Sequence, residues 1–153
     1  MRLNNTLYIV RGLAGSGKST LAKHIWMSDN CNAVMIAADD YFTDPKTKVY
    51  KFDRAKLTEA HNECLRKTHE AMVNMASTVV VHNTFSTKWE GEPYFSAAKI
   101  HGYSVFVIEC QNDFGSTHDV PEETIANMRD KWCHNDGPNN GTCLLYTSDA
   151  ADE

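Results

Sequence analysis

Four short apolar runs punctuate the chain, and each gives way to a polar turn and then to apolar residues spaced three and four apart. The runs are Leu7-Tyr8-Ile9-Val10, Ala33-Val34-Met35-Ile36-Ala37, Thr78-Val79-Val80-Val81-His82 and Tyr103 to Ile108. They are short, β-branched and apolar throughout, which predicts strands buried on both faces. A helix is expected from Ser19 to about Ser28, with Leu21, Ile25 and Trp26 on its apolar face. Asp53 is placed to cap a long helix to about Met75, with Leu57, His61, Cys64, Thr68, Ala71, Met72 and Met75 along one side. Pro93 opens a further helix through Ile100. Pro121 opens the last, where Glu122 and Glu123 complement the dipole and Ile125, Met128 and Trp132 face inward. Continuous apolar strands alternating with helices predict an α/β fold of three layers, a short parallel sheet of about four strands flanked by helices. Ligands in such sheets bind beyond the carboxyl ends of the strands.

Composition narrows this picture. The chain has 153 residues, 42% of them hydrophobic, and a formal charge of -5. That suits one domain with a real core, expected over residues 1–137. It argues against a broad basic surface, although a local basic groove is compatible with it. No apolar run approaches the roughly 20 residues of a membrane span, and no secretory leader is expected so close before the first strand. A cytoplasmic setting is expected. Five cysteines without paired metal-ligand spacing predict reduced thiols, and Cys133-His134 has no close second ligand pair that would make a zinc site. Residues 138–153 differ in kind. Leu144-Leu145-Tyr146-Thr147-Ser148-Asp149-Ala150-Ala151-Asp152-Glu153 resembles translated adapter sequence at the end of an open reading frame, so this tail is expected to be non-native or disordered.

The strongest chemical signal follows the first strand. Gly12-Leu13-Ala14-Gly15-Ser16-Gly17-Lys18-Ser19 fits G-x-x-x-x-G-K-[ST] and lies between a strand and a helix. In such a phosphate-binding (Walker A) loop the glycines let successive N–H groups turn inward at phosphate oxygens. Gly12, Ala14, Gly15, Ser16, Gly17, Lys18, Ser19 and Thr20 are therefore the expected nucleotide contacts, for ATP with Mg²⁺. Lys18 would reach the β- and γ-phosphates, and the Ser19 hydroxyl would ligate the metal. Asp39 and Asp40 end the second strand, where a carboxylate could accept a proton from an attacking hydroxyl or meet Mg²⁺ through water. The competing role is to cap the next turn. His82-Asn83-Thr84 ends the third strand, where many phosphate-loop proteins place an acidic metal ligand. Its absence weakens a motor-type or GTPase-type reading and leaves Asp39 as the acidic group nearest the metal.

Taken in order, Gly-Leu-Ala-Gly-Ser-Gly-Lys-Ser-Thr, Ala-Asp-Asp-Tyr-Phe, Val-His-Asn-Thr-Phe and Val-Pro-Glu-Glu-Thr-Ile-Ala-Asn-Met resemble the phage-type P-loop kinases. The likeness covers about Leu7 to Trp132. It is similar to the kinase half of phage polynucleotide kinase and to NEDD4-binding-protein-2-like ATPase domains. The resemblance implies a P-loop NTPase/kinase fold and transfer of the ATP γ-phosphoryl group to a hydroxyl, the 5′-OH of a polynucleotide among the candidates. Lys18 and Asp39 would be catalytic, with Asp39 as general base, and Ser19 and Asp39 would serve the metal. Asp40, His82, Asn83 and Thr84 are candidate substrate residues. Two departures stand out: the acidic residue of the third-strand segment is replaced by His82 or Asn83, and its final Asn by Phe85. A lid arginine is also missing between Gln111 and Val120, leaving Arg129 or Lys131 as candidate substitutes. The alternative reading is a nucleotide-dependent binding or regulatory module with little catalysis.

Overall fold

The computed structural model describes residues 4–29, 32–113, 120–132 and 143–147. Its elements are β1 (Thr6–Gly12), α1 (Lys18–Ser28), β2 (Ala33–Ile36), α2 (Leu57–Val73), β3 (Thr78–Asn83), α3 (Lys88–His101), β4 (Ser104–Cys110), α4 (Glu122–Asp130) and β5 (Cys143–Thr147). Short 3₁₀ turns at Ala38–Phe42 and Arg54–Lys56 precede α2. All strands are parallel, in the order β2-β3-β1-β4-β5. The three-layer α/β architecture is as expected, with β1 central.

The pleat divides the core. Leu7, Ile9, Val79, Val81, Val105 and Val107 point to one face, where they meet Cys64, Ala71 and Met72 of α2 and Tyr94, Ala97 and Ala98 of α3. Val10, Val80 and Cys110 point to the other and pack on Ala22, with Leu21 and Ile25 of α1 alongside. Each fully buried Val, Leu or Ile stabilises such a core by about 1.5–3 kcal/mol. Strands shielded on both faces have no solvated side, which is why they carry no polar alternation.

Four differences from expectation have local causes. The sheet has five strands rather than four: residues 143–147, inside the expected tail, pair in parallel with β4. Leu144-Leu145-Tyr146 is an apolar run suited to the otherwise open edge of β4; the rest of 138–153 lies outside the described residues. Helix α3 begins five residues before Pro93, because Thr87 and Glu90 form a capping box in which Glu90 Oε2 accepts from the Thr87 N–H at 2.8 Å. Asp53 caps the 3₁₀ turn that feeds α2, its Oδ1 accepting from Ala55 N at 3.0 Å, rather than α2 itself. The inner face of α2 uses Ala60, while Leu57 and Met75 are exposed.

Candidate nucleotide and acceptor site

Gly12 is the last residue of β1, and its N–H donates to Thr84 O at 3.3 Å, so the loop leaves the sheet between the ends of β3 and β4. Gly15 and Gly17 have φ of 81° and 86°, the left-handed region that glycine enters without steric cost. Alternating right- and left-handed residues turn consecutive N–H groups into one concavity, and α1 starts directly behind it at Lys18. A side chain on Gly12 would collide with Ser16 Oγ. That hydroxyl is buried and has no hydrogen-bond partner among the described residues. A buried orphan donor beside an inward-facing backbone cradle fits an anion such as a triphosphate. Lys18 Nζ donates to Leu13 O at 3.3 Å, folded back over the loop. Burial pushes the Lys18 ammonium below its ordinary pKa, and the charge of Asp39 pushes back. Ala14 is half-buried in the loop, whereas Ser19 and Thr20 are exposed on the first turn of α1.

Asp39 and Asp40 lie exposed in the 3₁₀ turn that follows β2, and they play different parts. Asp40 Oδ2 accepts from Ala37 N at 3.1 Å and so caps the turn. Asp39 turns toward the loop, close enough for its charge to act on Lys18, and its Oδ1 accepts from the Tyr50 hydroxyl at 3.2 Å. Among the described residues no group of three or more His, Cys, Asp or Glu converges on one point. A hard divalent ion here would therefore take Ser19 Oγ and Asp39 as protein partners and draw its other oxygens from phosphate and water, the usual habit of Mg²⁺.

The end of β3 splits between the two faces of the sheet. His82 points to the loop side, with Nδ1 3.5 Å from Ser19 Oγ. Burial first, and the Lys18 charge with it, pull its pKa below the ordinary 6.5 against the opposing pull of Asp40 and Asp39. The imidazole is thus neutral near pH 7, so no second cation crowds Lys18. Asn83 points the other way and is buried. Its Oδ1 accepts from Ala38 N at 2.8 Å, anchoring the turn that carries Asp39, and its amide donates to Cys64 Sγ at 3.5 Å. Thr84 is half-buried, and its carbonyl receives the Gly12 N–H. Phe85 holds φ at 49°, a costly angle for a bulky residue and one that asparagine tolerates far better. Where the resembled family has asparagine, this position needs a left-handed backbone. Here Phe85 takes it while packing its ring at 5.4 Å on Tyr94. Neither Phe42 nor Phe85 can stack on a base, because both are buried in the core.

A model of the AAA domain family matches residues 7–115, most of the chain and the whole of this geometry. The chain belongs to that family. Human NEDD4-binding protein 2 is 37% identical over 103 residues, covering 67% of this chain; the chain spans only 6% of that relative's length. A gluconokinase from Sinorhizobium meliloti superposes with a TM-score of 0.59 at 16% identity, covering 99% of this chain and 87% of that one. A chain of the Pnkp1/Rnl/Hen1 RNA repair complex superposes with a TM-score of 0.57 at 19% identity, covering 90% of this chain and 40% of that one. The AAA domain described here shares its fold with these P-loop proteins, and a P-loop of this form is a nucleotide-binding device. No helix among the described residues is long and apolar enough to cross a membrane.

Two features of this AAA domain escaped the sequence reading. One is Tyr50. The other is Arg11, one residue before the loop, which is almost fully buried. Its Nε and Nη2 donate to Phe85 O at 3.0 and 2.6 Å, and its Nη1 lies 3.3 Å from Glu109 Oε1. The Trp132 ring lies 4.1 Å from the guanidinium carbon, and its indole N–H donates to Glu109 Oε1 at 2.9 Å. Arg11 and Glu109 are register partners on β1 and β4. A charge closing each of two otherwise apolar strands was the available signal. Arg129 and Lys131 are exposed on or just after α4, and neither enters an ion pair among the described residues. Most of the lid segment, residues 114–119, lies outside the described residues, as do Cys133 and His134.

Proposed function

We propose that the domain is an ATP-dependent kinase that phosphorylates the 5′-OH of a polynucleotide. The surface beside Asp39 carries the acceptor half of this reading. After the Asp39 turn the chain folds back on itself. Thr43 bridges Tyr50 in antiparallel fashion, Asp44 N donates to Val49 O at 2.9 Å, and Lys48 takes a φ of 61° at the bend. The hairpin and the segment after it expose Lys46, Lys48, Lys51, Arg54 and Lys56, five of the fifteen basic side chains of a chain whose formal charge is -5. Among the described residues none of the five lies in an ion pair. The carboxylates between them cap backbone instead: Asp44 Oδ1 accepts from Lys46 N and Thr47 N, and Asp53 Oδ1 from Ala55 N. Phe52 and Tyr41 stand 54% and 39% exposed in the same region. Uncommitted cations beside exposed rings suit a phosphate backbone with stackable bases better than a small polyol. The likeness to a chain of an RNA repair complex supports the same acceptor.

The chemistry follows from placement. Loop N–H groups and Lys18 hold the β- and γ-phosphate oxygens and offset the charge that builds on the transferring group. Mg²⁺, when bound, would neutralise the same oxygens from the Ser19 side. Asp39 takes the proton of the acceptor hydroxyl as its oxygen bonds to the γ-phosphorus and the bond to ADP breaks. The test supplies labelled ATP with 5′-OH DNA and RNA oligonucleotides, nucleosides, gluconate and simple alcohols. Transfer to 5′-OH oligonucleotides is expected. In a Lys46→Ala/Lys48→Ala/Lys51→Ala variant the salt dependence of oligonucleotide binding should flatten by about 2 in log-log slope, roughly 0.7 for each single-strand phosphate contact. Transfer only to gluconate or small alcohols would remove the polynucleotide, and ATP binding without transfer to any acceptor would remove the kinase.

A further inference from the structure

We propose that Tyr50 is a positioning residue for Asp39, fixing one carboxylate oxygen so that the other faces the acceptor hydroxyl. This rests on the reading of Asp39 as the general base. Asp39 Oδ1 accepts the Tyr50 hydroxyl at 3.2 Å, and among the described residues Oδ2 accepts no hydrogen bond. The backbone beneath Asp39 is held independently, by Asn83 Oδ1 at Ala38 N and by Asp40 Oδ2 at Ala37 N. Neither contact restrains rotation of the Asp39 carboxylate. An exposed aspartate on a fixed backbone still samples several rotamers, and a base must sit within hydrogen-bond reach of the proton it takes.

Tyr50 is suited to impose one orientation. Its ring packs edge-on against the buried Phe42, with centroids 6.3 Å apart. Its strand is tied to the Asp39 turn by the bridge to Thr43 and by Lys51 N donating to Phe42 O at 2.9 Å. The same hairpin carries Lys46 and Lys48. The element offered to the acceptor strand therefore also holds the base, and a strand settled on the hairpin meets a carboxylate already oriented.

The test is a double-mutant cycle with a spectroscopic control. Tyr50→Phe removes one oxygen and keeps the ring against Phe42, so the thermal transition should stay near wild type. Its kcat for phosphoryl transfer should fall about tenfold, the weight of one hydrogen bond to a charged group, while KM for ATP stays within about twofold. In the Asp39→Asn background Tyr50→Phe should have no further effect on kcat. In wild-type protein carrying ¹³C-labelled tyrosine, the Tyr50 ζ-carbon shift at neutral pH should be that of a hydrogen-bonded phenol, and Asp39→Asn should move it. An equal kcat loss from Tyr50→Phe in both backgrounds would overturn the proposal, since it would show a merely structural role. So would a Tyr50 resonance indifferent to Asp39→Asn. Undiminished transfer by Asp39→Asn with the resonance still coupled would instead remove Asp39 as the base, and Tyr50 would then be positioning a carboxylate that takes no part in the reaction.

Discussion

The two halves of the proposed site are built in opposite ways. The donor half is eight consecutive residues, Gly12 to Ser19, whose recognition groups are mainly backbone N–H directed by two left-handed glycines. The acceptor half comes from three separate stretches: the Asp39 turn, the hairpin through Tyr50, and the β3 end with Asn83. Recognition of a triphosphate needs little more than a curled backbone and one cation, which a short stretch of chain supplies alone. Activation of a hydroxyl needs one carboxylate held at one angle, and that takes contacts from elements far apart in sequence. The difference predicts that the halves fail in distinguishable ways.

The largest effect should come from Lys18. Lys18→Ala is expected to lower kcat by about 10³-fold or more through lost stabilisation of the transferring group, and to weaken ATP binding as well. Asp39→Asn should lower kcat by about 10²–10³-fold and leave ATP affinity within about twofold, measured by calorimetry alongside steady-state transfer. If Asp39→Asn also weakens ATP tenfold, the two halves do not act as separable parts, and the charge of Asp39 on Lys18 matters more than its proton chemistry.

The halves share a joint, and it is buried. Arg11 stands one residue before the loop and holds the carbonyl of Phe85, which follows the acceptor-side end of β3, while pairing with Glu109 on β4. Replacing one member of a buried pair leaves an uncompensated charge, which costs about 3–5 kcal/mol. Arg11→Met should destabilise the fold by that order in urea unfolding. It should also release the strained left-handed Phe85, whose carbonyl loses both donors. An Arg11→Met/Glu109→Leu double variant should recover much of the loss, because apolar replacements of such pairs are often neutral. A double variant no better than the single would locate the cost at Phe85 rather than in the uncompensated charge of Glu109.

This asymmetry also explains what could be read in advance. The loop was legible because its residues are contiguous and its glycines are required by backbone geometry rather than by distant partners. The placement of Asp39 beside the loop was legible from its position at a strand end in a parallel sheet. Tyr50 was not: it lies eleven residues further on, beyond a Pro-containing turn, and only the hairpin closed at Lys48 returns it to Asp39. Asn83 carried a substrate expectation, yet its amide is engaged inside the protein, a matter of which sheet face the residue falls on. Phe85 stood out as a departure from the family segment, and the structure shows it holding a left-handed backbone that asparagine would adopt at lower cost. The Arg11–Glu109 pair depended on the strand order, since only β1 beside β4 makes the two charges neighbours. Register between parallel strands is set by packing across the whole sheet, and local periodicity does not encode it.

The smallest expected effect concerns His82, the residue that links the two halves through Ser19 Oγ at 3.5 Å. Burial holds its folded-state pKa below 6.5, so the unfolded chain takes up this proton at a higher pH than the folded one. Between those two values the unfolded state binds more protons, and stability therefore falls as pH is lowered through 6.5. Below the folded value both states are protonated, and the contribution levels off. His82→Gln removes the titration while keeping a polar group near Ser19. Urea unfolding between pH 5 and 8 should then show a shallower acid-side loss than wild type, with the two curves parallel above about pH 7.5. Identical acid slopes would mean that protonation of His82 is as easy in the folded site as in water, and that the imidazole beside Ser19 is not shielded by the loop and strand end that enclose it.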